Sequence, residues 1–163
     1  EQAGLVNKVL LSKAPKLPLK AYDDLGTFKL YTLDLGVLRK LSELDASILL
    51  LPTPAYTEYK GALAENYILQ SLTAQFQMPF RYWTSGNKAE VDFLLQYINQ
   101  IYPIEVKADQ NIQGKSLIQY EKLFQPACRI RYSMLNLKQD GNLLNIPLFL
   151  ADKTRELLGV INV

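Results

Sequence analysis

The fold of this 163-residue chain is decided by the stretch EVDFLLQYINQIYPIEVK, residues 90–107. Two apolar runs, residues 91–97 and 101–106, lie on either side of the polar pair Asn99-Gln100. This pattern is typical of a tight β-hairpin, in which two antiparallel strands are joined by a short turn. The sequence therefore predicts two paired strands at the centre of a sheet.

The register of this hairpin brings charged side chains together. With Asn99-Gln100 as a two-residue turn, Asp92 would face Lys107 and Leu94 would face Glu105. Side chains alternate along a strand, so four charged groups would then share one face of the hairpin. They are Glu90, Asp92, Glu105 and Lys107.

Two interpretations of this charged face stay open. The first is a solvated face with cross-strand ion pairs, each worth about 0.2–1 kcal/mol. The second is a metal site, because Mg²⁺ and Mn²⁺ prefer hard oxygen ligands. Asp92, Glu105 and the carbonyl of Val106 could supply such ligands, with Lys107 beside a metal-bound water.

An aspartate followed by Glu-x-Lys on the next strand, here Asp92, Glu105 and Lys107, resembles the PD-(D/E)XK nuclease signature. Nearly the whole chain also resembles a domain of unknown function that follows the ATPase module in prokaryotic AAA-type ATPases. The stretches that carry this resemblance are GALAENYILQSL, YWTSGNKAEVDFLL, YPIEVKA, KSLIQYEKLF and RIRYSM. The resemblance implies a restriction-endonuclease-like core and an ATPase module in the same polypeptide.

The predicted order of elements agrees with that core. From residue 57 to residue 134 the patterns indicate helix, strand, strand, strand, helix and strand, an αβββαβ arrangement of the mixed α+β class. Residues 56–163 are assigned to this core, and residues 1–55 to a small appended segment with a strand at 27–32. Asp34 is predicted to cap a helix that follows this strand.

Glu65 is predicted to lie on the apolar side of the longest helix, residues 57–77. The positions that define this side are Ala62, Glu65, Leu69, Leu72 and Phe76. An ionised carboxylate there is costly unless it pairs with an Arg or Lys, lies at the edge of the apolar stripe or belongs to a metal site. By the resemblance, Glu65 is the acidic residue that the first core helix contributes to the metal site. Its neighbour Asn66 is expected to face away.

Composition excludes several kinds of chemistry. The chain has no histidine, so imidazole catalysis and zinc sites with His ligands are excluded. The single Cys128 cannot form an intramolecular disulfide, which fits a cytoplasmic protein. No run of residues is long and apolar enough to predict a membrane span. A net charge of +2 does not by itself indicate a nucleic-acid partner.

Five basic residues are candidates for contact with DNA: Arg81, Lys88, Lys115, Arg129 and Arg131. Arg81 and Lys88 lie near Trp83, a combination that could stack on a nucleic acid, although packing of the aromatic side chain in the sheet is the favoured explanation. The two arginines at 129 and 131 alternate with Ile130 and Tyr132. They could equally be the solubilising charges of an edge strand.

A nucleotide-binding loop is suggested by Gly114-Lys115-Ser116, which precedes a predicted helix. However, Asp109 occupies the position of the first glycine of that motif, and its carboxylate would oppose a phosphate. ATP binding by this segment is therefore not expected.

These features lead to one principal hypothesis, a nuclease that depends on Mg²⁺ or Mn²⁺ and hydrolyses DNA. Asp92 and Glu105 would hold the ion, while Lys107 would stabilise charge and Glu65 would assist the metal or the water. The alternative is a non-catalytic module that recognises DNA or a protein for the ATPase.

Overall fold

The structure, a computed structural model, describes residues 4–43, 53–86, 88–108 and 114–161. The strands are β1 Val6–Ser12, β2 Asp23–Thr32, β3 Arg81–Thr84, β4 Glu90–Tyr97, β5 Gln100–Val106, β6 Arg129–Ser133, β7 Lys138–Asp140 and β8 Leu143–Pro147. The α-helices are α1 Leu35–Leu41, α2 Pro54–Phe76, α3 Lys115–Phe124 and α4 Thr154–Ile161. Short 3₁₀ turns occupy Leu19–Tyr22 and Leu148–Lys153.

The described strands form one eight-stranded sheet in the order β2-β1-β3-β4-β5-β6-β8-β7. The pairs β1–β3, β5–β6 and β6–β8 are parallel, and the other neighbouring pairs are antiparallel. This confirms the mixed α+β class, and the elements from α2 to β6 follow the predicted order. The strands β1 and β2, which precede residue 55, continue the same sheet because β1 pairs with β3.

Helices cover both faces of the sheet. The larger apolar cluster includes Ala64, Ile68, Leu69 and Leu72 of α2 and Leu158 of α4, together with Phe93, Leu95, Ile104, Val106, Ile130 and Tyr132 of the sheet. The smaller cluster joins Leu117 and Tyr120 of α3 to Trp83, Val91 and Leu94. Within the described residues, no helix combines the length and the apolar character that crossing a bilayer requires.

The central hairpin exists, but its turn lies one residue earlier than predicted. Residues Ile98 and Asn99 form the turn, with φ angles of 44° and 59°. Positive φ at both central residues is the requirement of a type I′ turn. Leu94 consequently pairs with Pro103 rather than with Glu105. The turn was predicted at Asn99-Gln100 rather than Ile98-Asn99 because a β-branched residue such as Ile98 rarely adopts positive φ.

The buried side of α2 also differs from the predicted one. Ala64 is buried and Ala62 is exposed, while Asn66, expected to face away, is 2% exposed. The Asn66 side chain accepts hydrogen bonds from the backbone N–H and the hydroxyl of Thr32, at 2.9 and 3.1 Å. The difference arises because β2 packs along the flank of α2. It therefore covers residues of the helix that lie beside the apolar stripe.

The helix ends follow local sequence signals. The Asp34 carboxylate accepts the N–H of Val37 at 2.8 Å, which confirms it as the N-cap of α1. Helix α2 begins at Pro54, three residues before the predicted start, because the Thr53 hydroxyl accepts the N–H of Tyr56. Proline is favoured in the first turn of a helix, because a backbone N–H at that position has no acceptor within the helix.

Candidate functional site

Asp92 lies where the strand β4 departs from regular pairing. The register between β3 and β4 shifts between the pairs Arg81–Leu94 and Trp83–Val91. Val91 packs in the cluster of α3, whereas Phe93 packs in the cluster of α2, so strict alternation is broken at Asp92. Irregularities of this kind commonly redirect a side chain next to a functional site.

The Asp92 carboxylate is fixed against the neighbouring strand β5. Its Oδ2 atom accepts the backbone N–H of Val106 at 2.7 Å. Val106 lies between Glu105 and Lys107, the other two residues of the predicted signature. Asp92 is therefore held at the segment that carries them, although not through the register that the sequence predicted.

The electrostatic environment of Asp92 is unusual for an aspartate. Burial raises its pKa to about 7, and the negative charge of Glu65 adds to the increase. The hydrogen bond from Val106 and the positive charges of Lys29 and Lys107 oppose it. At neutral pH this carboxyl group is therefore balanced between its two protonation states, as candidate functional carboxylates often are.

Glu105 is the most deeply buried member of the predicted set, with 2% of its surface exposed. Its Oε1 atom lies 3.1 Å from the Nζ atom of Lys107, whose side chain is 34% exposed. Its Oε2 atom is buried and has no hydrogen-bond partner in the described structure. An unpaired buried carboxylate oxygen is costly, so such an atom requires an explanation.

Glu65 approaches the same region from α2. Its Oε2 atom accepts a hydrogen bond of 2.8 Å from the hydroxyl of Tyr31 on β2. Burial and the negative charge of Glu65 raise the pKa of the Tyr31 hydroxyl, so this group stays protonated and can only donate to the carboxylate. The negative charge of Glu65 also raises the pKa of Asp92.

Sequence reasoning did not identify two residues of β2 that take part in this site, Lys29 and Tyr31. The Lys29 ammonium pairs with the Glu90 carboxylate and lies 5.0 Å from the ring centre of Tyr82. Burial acts to lower the pKa of Lys29, but the hydrogen bond and charge of Glu90 outweigh it and raise the pKa. The only sequence signal was that residues 29 and 31 share one side of a predicted strand.

The oxygen atoms near Asp92 and Glu105 suit a hard divalent cation, although there are few of them. Within the described ranges, no three His, Cys, Asp or Glu side chains lie close enough together to share an ion. The available oxygen donors are the carboxylates of Asp92 and Glu105 and the carbonyl of Val106. Mg²⁺ commonly binds through one or two carboxylates and keeps several waters, so two carboxylates and a carbonyl fit it.

Two of the three arginines predicted to contact DNA are directed inward. Arg81 is 8% exposed, and its Nε and Nη2 atoms bind both carboxylate oxygens of Asp23 at 2.8 and 2.9 Å. Arg129 is 9% exposed and binds Glu121 at 3.0 Å. A guanidinium buried in such a pair is not available to a phosphate.

The strand β6 that carries Arg129 and Arg131 lies between β5 and β8, so the interpretation as an edge strand was wrong. The Arg131 Nε atom donates to the Asn145 side chain at 3.0 Å. Lys88 and Lys115 are exposed, as a contact to DNA requires. Asp109, the residue that argued against a nucleotide-binding loop, lies outside the described residues.

Comparison with known proteins places the chain in a family. Residues 60–149, more than half of the chain, match the model of a domain of unknown function, DUF4143. The matched range contains Glu65, Asp92, Glu105 and Lys107, but not the strand β2. Neither the comparison with curated proteins nor that with solved structures gives a match. The chain belongs to the DUF4143 family, whose domain is one of unknown function.

Proposed function

We propose that this chain is a metal-dependent phosphodiesterase that acts on DNA. Asp92, Glu105 and the carbonyl of Val106 hold one Mg²⁺ or Mn²⁺ ion in this proposal. The observation that carries it is the buried Oε2 atom of Glu105, which has no hydrogen-bond partner in the described structure. A divalent cation satisfies such an atom and offsets the cost of burying its charge.

The charge balance around Asp92 supports the same assignment. Burial and the nearby Glu65 raise the pKa of Asp92 to about 7 despite the opposing charges of Lys29 and Lys107. The two ammonium groups therefore do not compensate the carboxylates fully. A bound divalent cation would complete this compensation and would keep Asp92 ionised at neutral pH.

In this proposal the ion, Lys107 and Glu65 have different roles in hydrolysis. When bound, the ion lowers the pKa of a coordinated water and neutralises charge on the scissile phosphate. The Lys107 ammonium, which is fixed by Glu105 and partly exposed, stabilises the negative charge that develops on the phosphoryl oxygens. Glu65 orients the attacking water from the side of α2. The partner in this proposal is an ATPase module of the same polypeptide, as the sequence resemblance implies.

A second candidate function is a non-catalytic recognition module for DNA or protein. It is favoured because, in the described ranges, no three acidic side chains lie close enough together to bind one ion. The inward direction of Arg81 and Arg129 also removes two expected phosphate contacts. In this case Glu105 and Lys107 would be a structural ion pair, and DNA or partner binding would not depend on Asp92.

One experiment separates the two functions. Mn²⁺ is titrated into the 163-residue chain by calorimetry, and the same preparation is incubated with supercoiled plasmid in the presence of Mg²⁺ or Mn²⁺. The test variant is Asp92→Asn, which keeps an acceptor for the Val106 N–H but removes the charge. The control variant is Asp140→Asn, which removes a carboxylate that is 79% exposed.

We expect the unsubstituted chain and Asp140→Asn to bind Mn²⁺ and nick the plasmid. Asp92→Asn should lose about 100-fold or more in both measurements, because it removes a metal ligand rather than a group that orients one. Metal binding and nicking that are unchanged in Asp92→Asn would refute the role of this residue. Plasmid or protein binding without nicking would favour the recognition module.

A further inference from the structure

The two edges of the sheet are built differently. The strand β7 at one edge has three residues, all of them exposed, and Lys138 and Asp140 among them are charged. A short charged strand of this kind resists pairing with another chain. The strand β2 at the other edge has ten residues, and its regular part follows a bulge and spans residues 28–32. This part lacks the same protection, because Phe28 and Leu30 are 44% and 59% exposed.

The backbone of β2 offers hydrogen bonds at this edge. The N–H of Thr32 donates to the Asn66 side chain at 2.9 Å, and the C=O of Thr32 accepts from the same amide at 3.3 Å, so both groups point away from β1. In an antiparallel pair the backbone groups of every second residue point to the same side. The N–H and C=O groups of Phe28 and Leu30 therefore also point outward, and no strand of the described residues lies beside them.

A cavity of about 330 Å³ lies along this edge. Leu30 and Tyr31 of β2, Leu38 of α1 and one side of α2 form its walls. The carboxylates of Glu58 and Glu65 line it, about 10 Å apart along the axis of α2, and its described lining contains no Lys or Arg. The cavity is thus negatively charged in a chain whose net charge is +2.

Gly61 lines this cavity from the interior of α2. A Cβ atom at this position would meet no neighbouring element within 4 Å among the described residues, so packing inside the chain does not require a glycine. Glycine is, after proline, the least favourable residue in the interior of a helix. It is favoured where a bound group must approach the backbone closely. Gly61 therefore agrees with a ligand that lies against α2.

We propose that the groove between the β2 edge and α2 binds an extended segment of a partner protein that carries a lysine or an arginine. The segment adds a strand to the sheet by pairing with the outward N–H and C=O groups of Phe28 and Leu30. Its basic side chain pairs with the exposed Glu58, and Gly61 leaves room for that side chain beside the helix. A nucleic acid does not fit this groove, because its phosphates would oppose the two carboxylates. The inference involves no metal ion and does not rest on the proposed function.

The test is peptide binding to the 163-residue chain, measured by fluorescence anisotropy without divalent cations. The probe is a short labelled peptide in which valine and lysine alternate, because valine favours the extended conformation. A matched peptide carries glutamate in place of each lysine. We expect saturable binding of the lysine peptide alone, although the net charge of +2 on the chain would favour the glutamate peptide. Equal binding of the two peptides would overturn the proposal.

N-methylation of the lysine peptide tests whether it adds a strand. Methyl groups on the amide nitrogens of the valines, or instead of the lysines, block one edge of the extended peptide at a time. Only the edge that faces β2 contributes hydrogen bonds to the chain. One methylated peptide should therefore lose about 10-fold or more in affinity, while the other binds as before. Equal affinities of the two methylated peptides would rule out strand addition.

Gly61→Leu tests whether the peptide lies in the cavity. The leucine side chain would occupy the space of the bound segment, so the affinity for the lysine peptide should fall about 10-fold or more. Gly159→Leu is the matched control, because it also replaces a helical glycine whose Cβ would meet nothing within 4 Å. It should bind the peptide normally, and both variants should keep or raise the urea midpoint of unfolding. Unchanged peptide binding in Gly61→Leu would overturn the proposal.

The remaining outcomes concern a different occupant of the edge. A chain that does not bind the lysine peptide overturns the proposal. If that chain forms dimers in sedimentation and Gly61→Leu makes it monomeric, the edge pairs with a second copy of this chain instead. Neither result bears on the nuclease proposal, which the Mn²⁺ titration tests separately.

Discussion

Replacing Asp92 by asparagine should stabilise the folded chain in a pH-dependent way. An aspartate in an unfolded chain ionises near pH 4, whereas the pKa of Asp92 in the fold is raised to about 7. Between these values the unfolded state binds fewer protons than the folded state, so ionisation of Asp92 lowers stability as the pH rises. Below about pH 4 both states are protonated and this penalty is absent.

The size of the effect follows from the same two pKa values. One pKa unit corresponds to about 1.36 kcal/mol, so the full penalty is ~4 kcal/mol above pH 7 and ~1.4 kcal/mol at pH 5. Asparagine is neutral throughout and can still accept the Val106 N–H. The free energy of unfolding of Asp92→Asn should therefore exceed that of the unsubstituted chain by these amounts.

Urea denaturation at pH 5, 6.5 and 8, without divalent cations, measures this difference. The control is Asp140→Asn, whose exposed carboxylate should change stability by less than about 0.5 kcal/mol at each pH. Addition of Mn²⁺ at about 100 times its Kd should stabilise only the chain with Asp92, by ~2.7 kcal/mol. A gain in Asp92→Asn that is absent at pH 8, or equal at pH 5 and pH 8, would refute the reasoning.

Two further predictions concern the framework of the site. Arg81→Ala should cost about 3–5 kcal/mol in urea denaturation because it leaves Asp23 buried without its guanidinium, whereas Lys13→Ala, which breaks the more exposed pair with Asp24, should cost less than about 1 kcal/mol. Equal costs for the two variants would contradict this. Ile98→Asn should raise the free energy of unfolding by about 1 kcal/mol, since asparagine tolerates the positive φ of 44° at this turn position better than a β-branched residue. A melting temperature that is unchanged or lower would refute the strain attributed to Ile98.

Features encoded by neighbouring residues were predictable from the sequence. The helix predicted after Gly114-Lys115-Ser116 is present as α3, and Asp34 caps α1 as expected. The central hairpin and the order of elements from α2 to β6 were also predicted. These features depend on periodicity, capping and turn signals within a few residues, which the linear sequence contains in full.

The composition of the candidate site was only partly predictable. The sequence suggested Glu65, Asp92, Glu105 and Lys107, and the structure brings Asp92 to the backbone beside Glu105 and Lys107. Tyr31 was missed because its hydrogen-bond partner is 34 residues away. The lysine and tyrosine of β2 carry no local signal of their own, since alternating polar residues occur in many partly exposed strands.

Taken by itself, the sequence determined the secondary-structure elements of the core and excluded histidine chemistry. Only the tertiary structure decided which charges are paired and which are not. It buried Arg81 against Asp23, 58 residues away, and left one oxygen of Glu105 without a partner. The physical reason is that burial and Coulomb interactions depend on distances through space, which are set only after the sheet and its helices have packed.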